Sequence, residues 1–296
     1  MKRIVNSREY TFRDKVRDDE AALPGFLDLA KEVFGLDFTP WRADGWWGGD
    51  YIPHVLMDDE KVAANVSVNI IRARWQGVEK RFIQIGTVMT DPACRGQGLA
   101  RHLMEEVLAR YAGNSDGMYL YANDSVLDFY PKFGFVHAQE YQYSLPVKSS
   151  GLPVRKLDMD APRDRAKLIE AYLTRSNPYS ALPVLGNTGL LMFYCGRFLK
   201  DCVYEIPDLG AVAVAKRDGD WMLCYSVFGG NATLPEVLNA LAEDATRTAA
   251  LGFTPLDAAD FTVEARREEN TTLFATGELL SLLSENKIMF PLLSHA

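Results

Sequence analysis

The stretch that decides the fold is TVMTDPACRGQGLARHLMEEVL, residues 87–108. It indicates the end of an apolar strand, a tight turn, and a helix that begins among arginine and glycine residues. Leu99, Leu103 and Val107 recur at three- and four-residue spacing, so this helix has one apolar face. Its N-terminus must therefore lie at the glycines that precede Leu99.

These glycines, Gly96 and Gly98, leave the first amides of the helix uncovered, because no Cβ atoms stand in the way and no ordinary capping side chain precedes them. A helix N-terminus with free N–H groups is a ready anion site. Arg95 and Arg101 flank it and add full positive charges to the helix dipole. The sequence therefore predicts a phosphate ligand, and specifically a pyrophosphate.

The spacing excludes the two commonest phosphate loops. A P-loop needs a Lys followed by Ser or Thr after its second glycine, and a dinucleotide fingerprint needs a third glycine where Arg101 stands. The pattern that is present is Arg-x-x-Gly-x-Ala, from Arg95 through Gly98 to Ala100. It resembles the acetyl-CoA pyrophosphate loop of the GNAT superfamily of N-acetyltransferases. For this segment alone, a glycine-rich turn that merely starts a helix is the alternative.

A second segment, NDSVLDFYPKFGF at residues 123–135, resembles the next part of the same family. It has Asn123 at the start of a predicted helix, Tyr130 seven residues later and a closing Lys-x-Gly-Phe. Two motifs in the right order make the resemblance specific for residues 8–145. It implies an α/β fold with a mixed sheet and transfer of an acetyl group from acetyl-CoA to a primary amine, which attacks directly in a ternary complex.

The resemblance also assigns roles to residues. The pantetheine arm is expected along the strand at residues 88–90, which in this family splays from the next strand, here Met118 to Tyr121. Tyr130 matches the general acid that protonates the leaving thiolate. Asn123 would bond the pantetheine or cap the helix predicted over residues 124–132. The predicted cofactor-binding residues are Val88, Met89, Thr90, Arg95, Gly96, Gln97, Gly98, Leu99, Ala100, Arg101 and Asn123.

The general base is not identified. Many family members carry a glutamate on the strand before the pyrophosphate loop, whereas residues 82–90 hold no ionisable carboxylate. Gln84 and Thr87 could only order a water molecule. A CoA-binding sensor or interaction module that keeps the fold without turnover is therefore the alternative function, although the intact Tyr130 favours an enzyme.

Length, net charge and cysteine content limit the possible number of domains, the partners and the metal or disulfide sites. The 296 residues suggest two domains, at ~150 residues per domain. The net charge of −8 argues against a nucleic-acid partner. No apolar run is long enough for a signal peptide or a membrane helix, so a cytoplasmic protein with no membrane partner is expected. The four cysteines form no paired or histidine-clustered pattern, and neither a metal site nor a disulfide framework is predicted.

The segment from Pro146 to Pro153 is the best linker in the chain. The sequence predicts a GNAT catalytic domain at residues 1–146 and a second, degenerate GNAT-like domain at 153–296, with an unrelated α+β domain as the alternative. In the second half, Thr233 and Glu236 form a capping-box pattern at the start of a helix predicted over residues 234–250. This half is expected to bind no CoA and to shape the acceptor pocket.

The acceptor is predicted only as a small-molecule amine or a peptide or protein amine. Residues 36–52 form a loop with three tryptophans, which either pack on the core or line the acceptor pocket. Asp44 and Asp50 in this loop would suit a cationic amine, although charged loop residues are more often simply solvated. The oligomeric state is left open.

Overall fold

The structure is a computed structural model that describes residues 1–295 and contains two mixed β-sheets. The strands are β1 (Lys2–Val5), β2 (Arg8–Arg13), β3 (Tyr51–Asp58), β4 (Lys61–Trp75), β5 (Val78–Thr90), β6 (Gly117–Ala122), β7 (Val136–His137), β8 (Tyr141–Pro146), β9 (Arg155–Lys156), β10 (Val203–Ile206), β11 (Ala211–Asp218), β12 (Trp221–Gly229), β13 (Thr248–Leu251), β14 (Thr262–Ala265) and β15 (Thr272–Ala275). The α-helices are α1 (Leu23–Phe34), α2 (Thr39–Ala43), α3 (Leu99–Tyr111), α4 (Pro162–Thr174), α5 (Thr188–Phe193), α6 (Leu234–Leu241) and α7 (Glu278–Glu285).

Both sheets are built around the same unit. In the first, β4 and β5 are antiparallel, and α3 connects β5 to the parallel strand β6. In the second, β11 and β12 are antiparallel, and α6 connects β12 to the parallel strand β13. The strand orders are β1-β2-β3-β4-β5-β6-β15-β7 and β14-β8-β13-β12-β11-β10-β9. The second half thus repeats the element order of the first, as the sequence predicted.

Each sheet receives one strand from the other half of the chain. Strand β15 lies between β6 and β7 in the first sheet, and β8 lies between β13 and β14 in the second. The sequence of residues 135–145 predicts one final strand for the first domain, but the structure has two short strands there, and β8 belongs to the second sheet. The alternation in Tyr141–Pro146 signals a strand but not its partner, and its inward residues Tyr143 and Leu145 enter the core of the second half. The division at residues 146 and 153 stays a proposal.

Glycines in the left-handed conformation stand at the C-terminal end of α1 and at the N-terminal end of α3. Helix α1 ends at Gly35, whose φ of +67° is the left-handed conformation that favours glycine. Helix α3 begins after Gly98, whose φ is +78°. Its apolar face, with Leu103 and Val107, packs into the core beneath β4 and β5. The start of α3 lies where the sequence predicted it.

Two predicted helices are wrong in extent. Residues 124–132 contain 3-10 turns at Asp124–Val126 and Tyr130–Phe133 instead of an α-helix, and Pro131 supplies no amide for a helical ladder. The helix predicted over 234–250 ends at Leu241, because Thr248–Leu251 pairs with β12 as strand β13. Pairing with a neighbouring strand overrides the helix propensity of the alanines in this segment.

The two halves share a buried interior. Phe82 and Tyr119 of the first sheet pack against Leu279 of α7 and Phe290 near the C-terminus. The Tyr119 and Phe290 rings stack with centroids 3.9 Å apart. Within residues 1–295, no helix has both the length and the apolar character needed to cross a membrane.

Candidate active site

Strands β5 and β6 form a fork. Their parallel ladder runs from the pair Phe82–Gly117 to the pair Ile85–Leu120, and in the described chain it continues no further. Residues 86–90 of β5 therefore lie beyond the pairing with β6. Residues 88–90, where the resemblance implies the splay, are thus not paired with β6, whose Met118 to Leu120 pair with residues 83–85 of β5.

Thr87 fixes the open arm of the fork. Its φ of +42° is unusual for a β-branched residue and coincides with a bulge in the β4–β5 ladder. Three hydrogen bonds hold it: Thr87 Oγ1 lies 2.8 Å from the Tyr51 hydroxyl, Thr87 Oγ1 donates to Ser67 Oγ at 2.7 Å, and Asn65 Nδ2 donates to the Thr87 carbonyl at 2.7 Å. Backbone strain of ~1–3 kcal/mol persists at such a position only when its surroundings over-determine it.

The loop before α3 presents an open helix end. Gly98 occupies the N-cap position and no side chain caps the first amides. The loop is held from the other side, since Asn6 Nδ2 donates to the Gln97 carbonyl at 2.8 Å and the Tyr10 hydroxyl donates to Gln97 Oε1 at 2.9 Å. Arg95 and Arg101 are exposed, and within residues 1–295 neither takes part in an ion pair. Free amides and unpaired cations therefore face solvent together.

Tyr130 and Asn123 follow the end of β6. Tyr130 is buried, and its ring packs against Phe129, Phe135 and Phe274. Burial raises the pKa of its phenol to about 12, so the hydroxyl keeps its proton at neutral pH. Asn123 is exposed and precedes the first 3-10 turn, but its side chain makes no capping hydrogen bond there.

A pocket of about 390 Å³ opens beside the fork. Both halves of the chain line it, and more than half of the lining residues are aromatic or leucine. The lining residues are Leu36, Phe38, Trp41, Tyr51, Gln84, Thr87, Tyr121, Leu190, Phe193, Tyr194, Phe198, Glu268, Thr271 and His295. The sequence missed all those of the second half, because the fold brings them to β5 from more than 100 residues away.

The tryptophans of the 36–52 loop divide between the two predicted roles. Trp47 is buried in the core beside α1, whereas Trp41 lines the pocket and donates its Nε1–H to the Gly189 carbonyl at 2.7 Å. Their rings stack with centroids 5.6 Å apart. Asp44 is exposed and Asp50 is paired with Arg72, and neither lines the pocket. The solvated interpretation therefore fits Asp44, whereas Asp50 accepts two hydrogen bonds from the Arg72 guanidinium.

A buried polar network backs the pocket wall. The Tyr121 hydroxyl lies 2.8 Å from His295 Nε2 and 3.1 Å from Glu140 Oε1. The Phe290 amide donates to Glu140 Oε1 at 2.8 Å, and Arg266 Nη1 lies 3.5 Å from Glu140 Oε2. Burial lowers the pKa of His295 to about 3 and raises the pKa of Glu140. The imidazole is therefore neutral at physiological pH. No sequence motif around His295 predicts that it belongs to this polar network.

The corresponding helix end in the second half is closed. The Glu236 amide donates to Thr233 Oγ1 at 3.4 Å, and the Thr233 amide donates to Glu236 Oε2 at 2.8 Å. The predicted capping box is thus confirmed, with Thr233 at the N-cap of α6. The hydrogen bond from the Thr233 amide lowers the pKa of Glu236, which keeps a negative charge at this helix end.

The chain is similar to known proteins in part of its sequence and in its fold. Residues 15–138 match the acetyltransferase (GNAT) domain family. No curated protein matches the chain. Among solved structures, a probable N-acyltransferase from Enterococcus faecalis V583, of unknown function, has a TM-score of 0.60 at 16% identity, covering 91% of this chain and 73% of that one.

Two further solved structures share the fold over most of their length. A GCN5-related N-acetyltransferase from Kribbella flavida has a TM-score of 0.55 at 17% identity, covering 90% of this chain and 71% of that one. Eis1 from Mycobacterium abscessus has a TM-score of 0.57 at 14% identity, covering 89% of this chain and 73% of that one. The shared fold extends across both sheets.

Proposed function

We propose that this chain, whose residues 15–138 match the acetyltransferase (GNAT) domain family, is an N-acetyltransferase that moves an acetyl group from acetyl-CoA to a primary amine. The observation that carries the proposal is the open N-terminus of α3 between Arg95 and Arg101. It lies on the crossover that leads from the open arm of the β5–β6 fork, so one extended ligand could occupy both.

In the proposed binding mode, one acetyl-CoA molecule contacts both the N-terminus of α3 and the open arm of β5. The amides from Arg95 to Arg101 receive the pyrophosphate, and the two arginines neutralise its charge. The strand at residues 88–90, beyond the last β5–β6 pair, holds the pantetheine arm, and Asn123 lies at the matching end of β6. Amides of the open arm then face the thioester carbonyl, where donors stabilise the developing oxyanion.

The proposed chemistry is direct attack. The neutral amine nitrogen forms a bond to the carbonyl carbon, the carbon–sulfur bond breaks, and the Tyr130 hydroxyl gives its proton to the leaving sulfur. The nitrogen loses one proton as the amide forms, and that proton returns to the Tyr130 phenolate through water. An alkylammonium with a pKa of ~10.4 must first lose a proton. Within residues 1–295, Glu268 is the one carboxylate on the pocket wall, so the proton leaves toward Glu268 directly or through water. His295 is a poor proton acceptor, because burial lowers its pKa to about 3.

The test is thiol release from acetyl-CoA in the presence of pooled amines, with the acetylated product identified by its mass. We expect amine-dependent release of CoA thiol. A protein that binds acetyl-CoA stoichiometrically but releases no thiol with any amine would instead be the non-catalytic CoA-binding module.

A further inference from the structure

The pocket beside the fork has a continuous aromatic side. Phe38 stacks on Tyr51 at 5.4 Å and on Phe193 at 5.7 Å between ring centroids. Trp41 meets Phe193 edge-on at 5.4 Å, and Phe198 lies 5.3 Å from the same ring. Rings from both halves of the chain thus form one wall, which offers π faces and edges to whatever enters.

The polar lining gathers at the fork. Thr87 stands on the open arm of β5, and Tyr121 is the first residue of β6 beyond the last pair. His295 packs on Tyr121 with ring centroids 4.1 Å apart. The polar end of the pocket therefore coincides with the place where the thioester is expected, and the aromatic wall meets it at Tyr51, whose hydroxyl lies 2.8 Å from Thr87 Oγ1.

Few charged side chains line the pocket. Within the described residues, Glu268 is the one carboxylate that lines the pocket, and no lysine or arginine lines it. Glu268 is also ion-paired with Arg266. A polycationic acceptor would need several unpaired carboxylates, whereas a single ammonium is satisfied by one carboxylate and by aromatic faces.

We propose that the acceptor is a monoamine whose nitrogen is carried on a flat aromatic group, of the phenylethylamine or tryptamine kind, with the ring on the aromatic wall and the nitrogen at the Thr87–Tyr121 end. The proposal rests on the proposed function for the identity of the reaction. The volume of about 390 Å³ lies within the ~300–1,000 Å³ range of small-molecule sites, and apolar walls with few polar groups are typical of them.

The first test is binding, which needs no turnover. Calorimetry on the full-length protein with CoA present would compare 2-phenylethylamine, ethylamine and spermidine. We expect 2-phenylethylamine to bind roughly tenfold tighter or more than either of the others, because only its ring contacts the aromatic wall. Equal affinities for 2-phenylethylamine and ethylamine, or tighter binding of spermidine, would overturn the proposal.

The second test locates the ring. Phe198 is 51% exposed at the pocket, so Phe198→Ala should leave the fold intact while it reduces the preference for 2-phenylethylamine over ethylamine severalfold. Trp221→Ala is the matched control, since Trp221 is an exposed aromatic residue that does not line this pocket. Equal effects of the two variants would contradict the assignment. So would a Phe198→Ala variant that alters the choice between acetyl-CoA and hexanoyl-CoA but not between amines, because the wall would then hold an acyl chain.

Thiol release separates the two proposals. If 2-phenylethylamine binds at the Phe198 wall but releases no CoA thiol from acetyl-CoA, the acetyl-transfer proposal fails and the ligand class stands. If thiol release occurs with ethylamine as efficiently as with 2-phenylethylamine, acetyl transfer stands and the aromatic class fails.

Discussion

The N-termini of α3 and α6 occupy the same position in the two sheets, and they differ in chemistry. Each follows a strand and opens the crossover to a parallel strand. At α3 a glycine stands at the N-cap, and Arg95 and Arg101 lie beside uncapped amides. At α6 the amides are bonded to Thr233 and Glu236. Topology therefore does not decide whether such an end binds an anion, whereas the capping residues do.

The two halves also contribute different parts of the site. The first half holds the fork and the open helix end, and the second half supplies Phe193, Phe198 and His295 to the pocket. The second half, whose helix α6 has a capped N-terminus, thus lines the pocket that we propose as the acceptor site.

The largest effect should come from cutting the chain at the predicted linker. A fragment of residues 1–146 lacks β15, which covers the edge of β6, and leaves β8 without β13 and β14. We expect this fragment to show no cooperative unfolding and no acetyl-CoA binding, measured by thermal circular dichroism and calorimetry. Mixing it with residues 153–296 is the control and should restore both. A fragment 1–146 that folds and binds alone would show that the halves are independent.

The positions of β8 in the second sheet and β15 in the first also show what the sequence could not predict. The start of α3 at Gly98 and the Thr233–Glu236 capping box follow from residues within a few positions of one another, and both were predicted. The partner of β8 and the position of His295 depend on contacts across more than 100 residues. Alternation and spacing carry no information about such contacts, so the sequence predicts that the second half shapes the pocket but names none of its lining residues.

The next effect concerns the proton donation that we propose for Tyr130, which lies in the first half. Tyr130→Phe removes one hydroxyl from a buried ring, so acetyl-CoA affinity should survive while turnover falls ~10²-fold, as for a lost general acid. Burial raises the pKa of Tyr130 to about 12, so ionisation of this phenol should not reduce turnover up to pH ~10. Tyr143→Phe is the control, because Tyr143 is buried in the second core and bonds the Lys287 carbonyl. Unchanged turnover in Tyr130→Phe would assign the residue to packing.

A smaller effect should follow from placing charge at the open helix end. Gly98→Asp puts a carboxylate against the expected pyrophosphate, and we expect acetyl-CoA to bind more than tenfold weaker, or ~1.4 kcal/mol, by calorimetry. Gly98→Asn has nearly the same shape and tolerates the left-handed φ equally well, so it isolates the charge. Equal affinities of the Asp and Asn variants would show that no anion binds at these amides.

The smallest effect should come from the helix end that already caps itself. Thr233→Ala removes the hydroxyl that accepts from the Glu236 amide and should lower stability by ~1 kcal/mol, seen as a fall of a few degrees in Tm. Acetyl-CoA binding should stay at one per chain with unchanged affinity, because the Glu236 carboxylate still repels phosphate there. Calorimetric titration of the variant and of the natural chain measures both quantities. A second acetyl-CoA per chain, in either protein, would mean that α6 keeps a working anion site and that the two halves do not differ as their capping residues indicate.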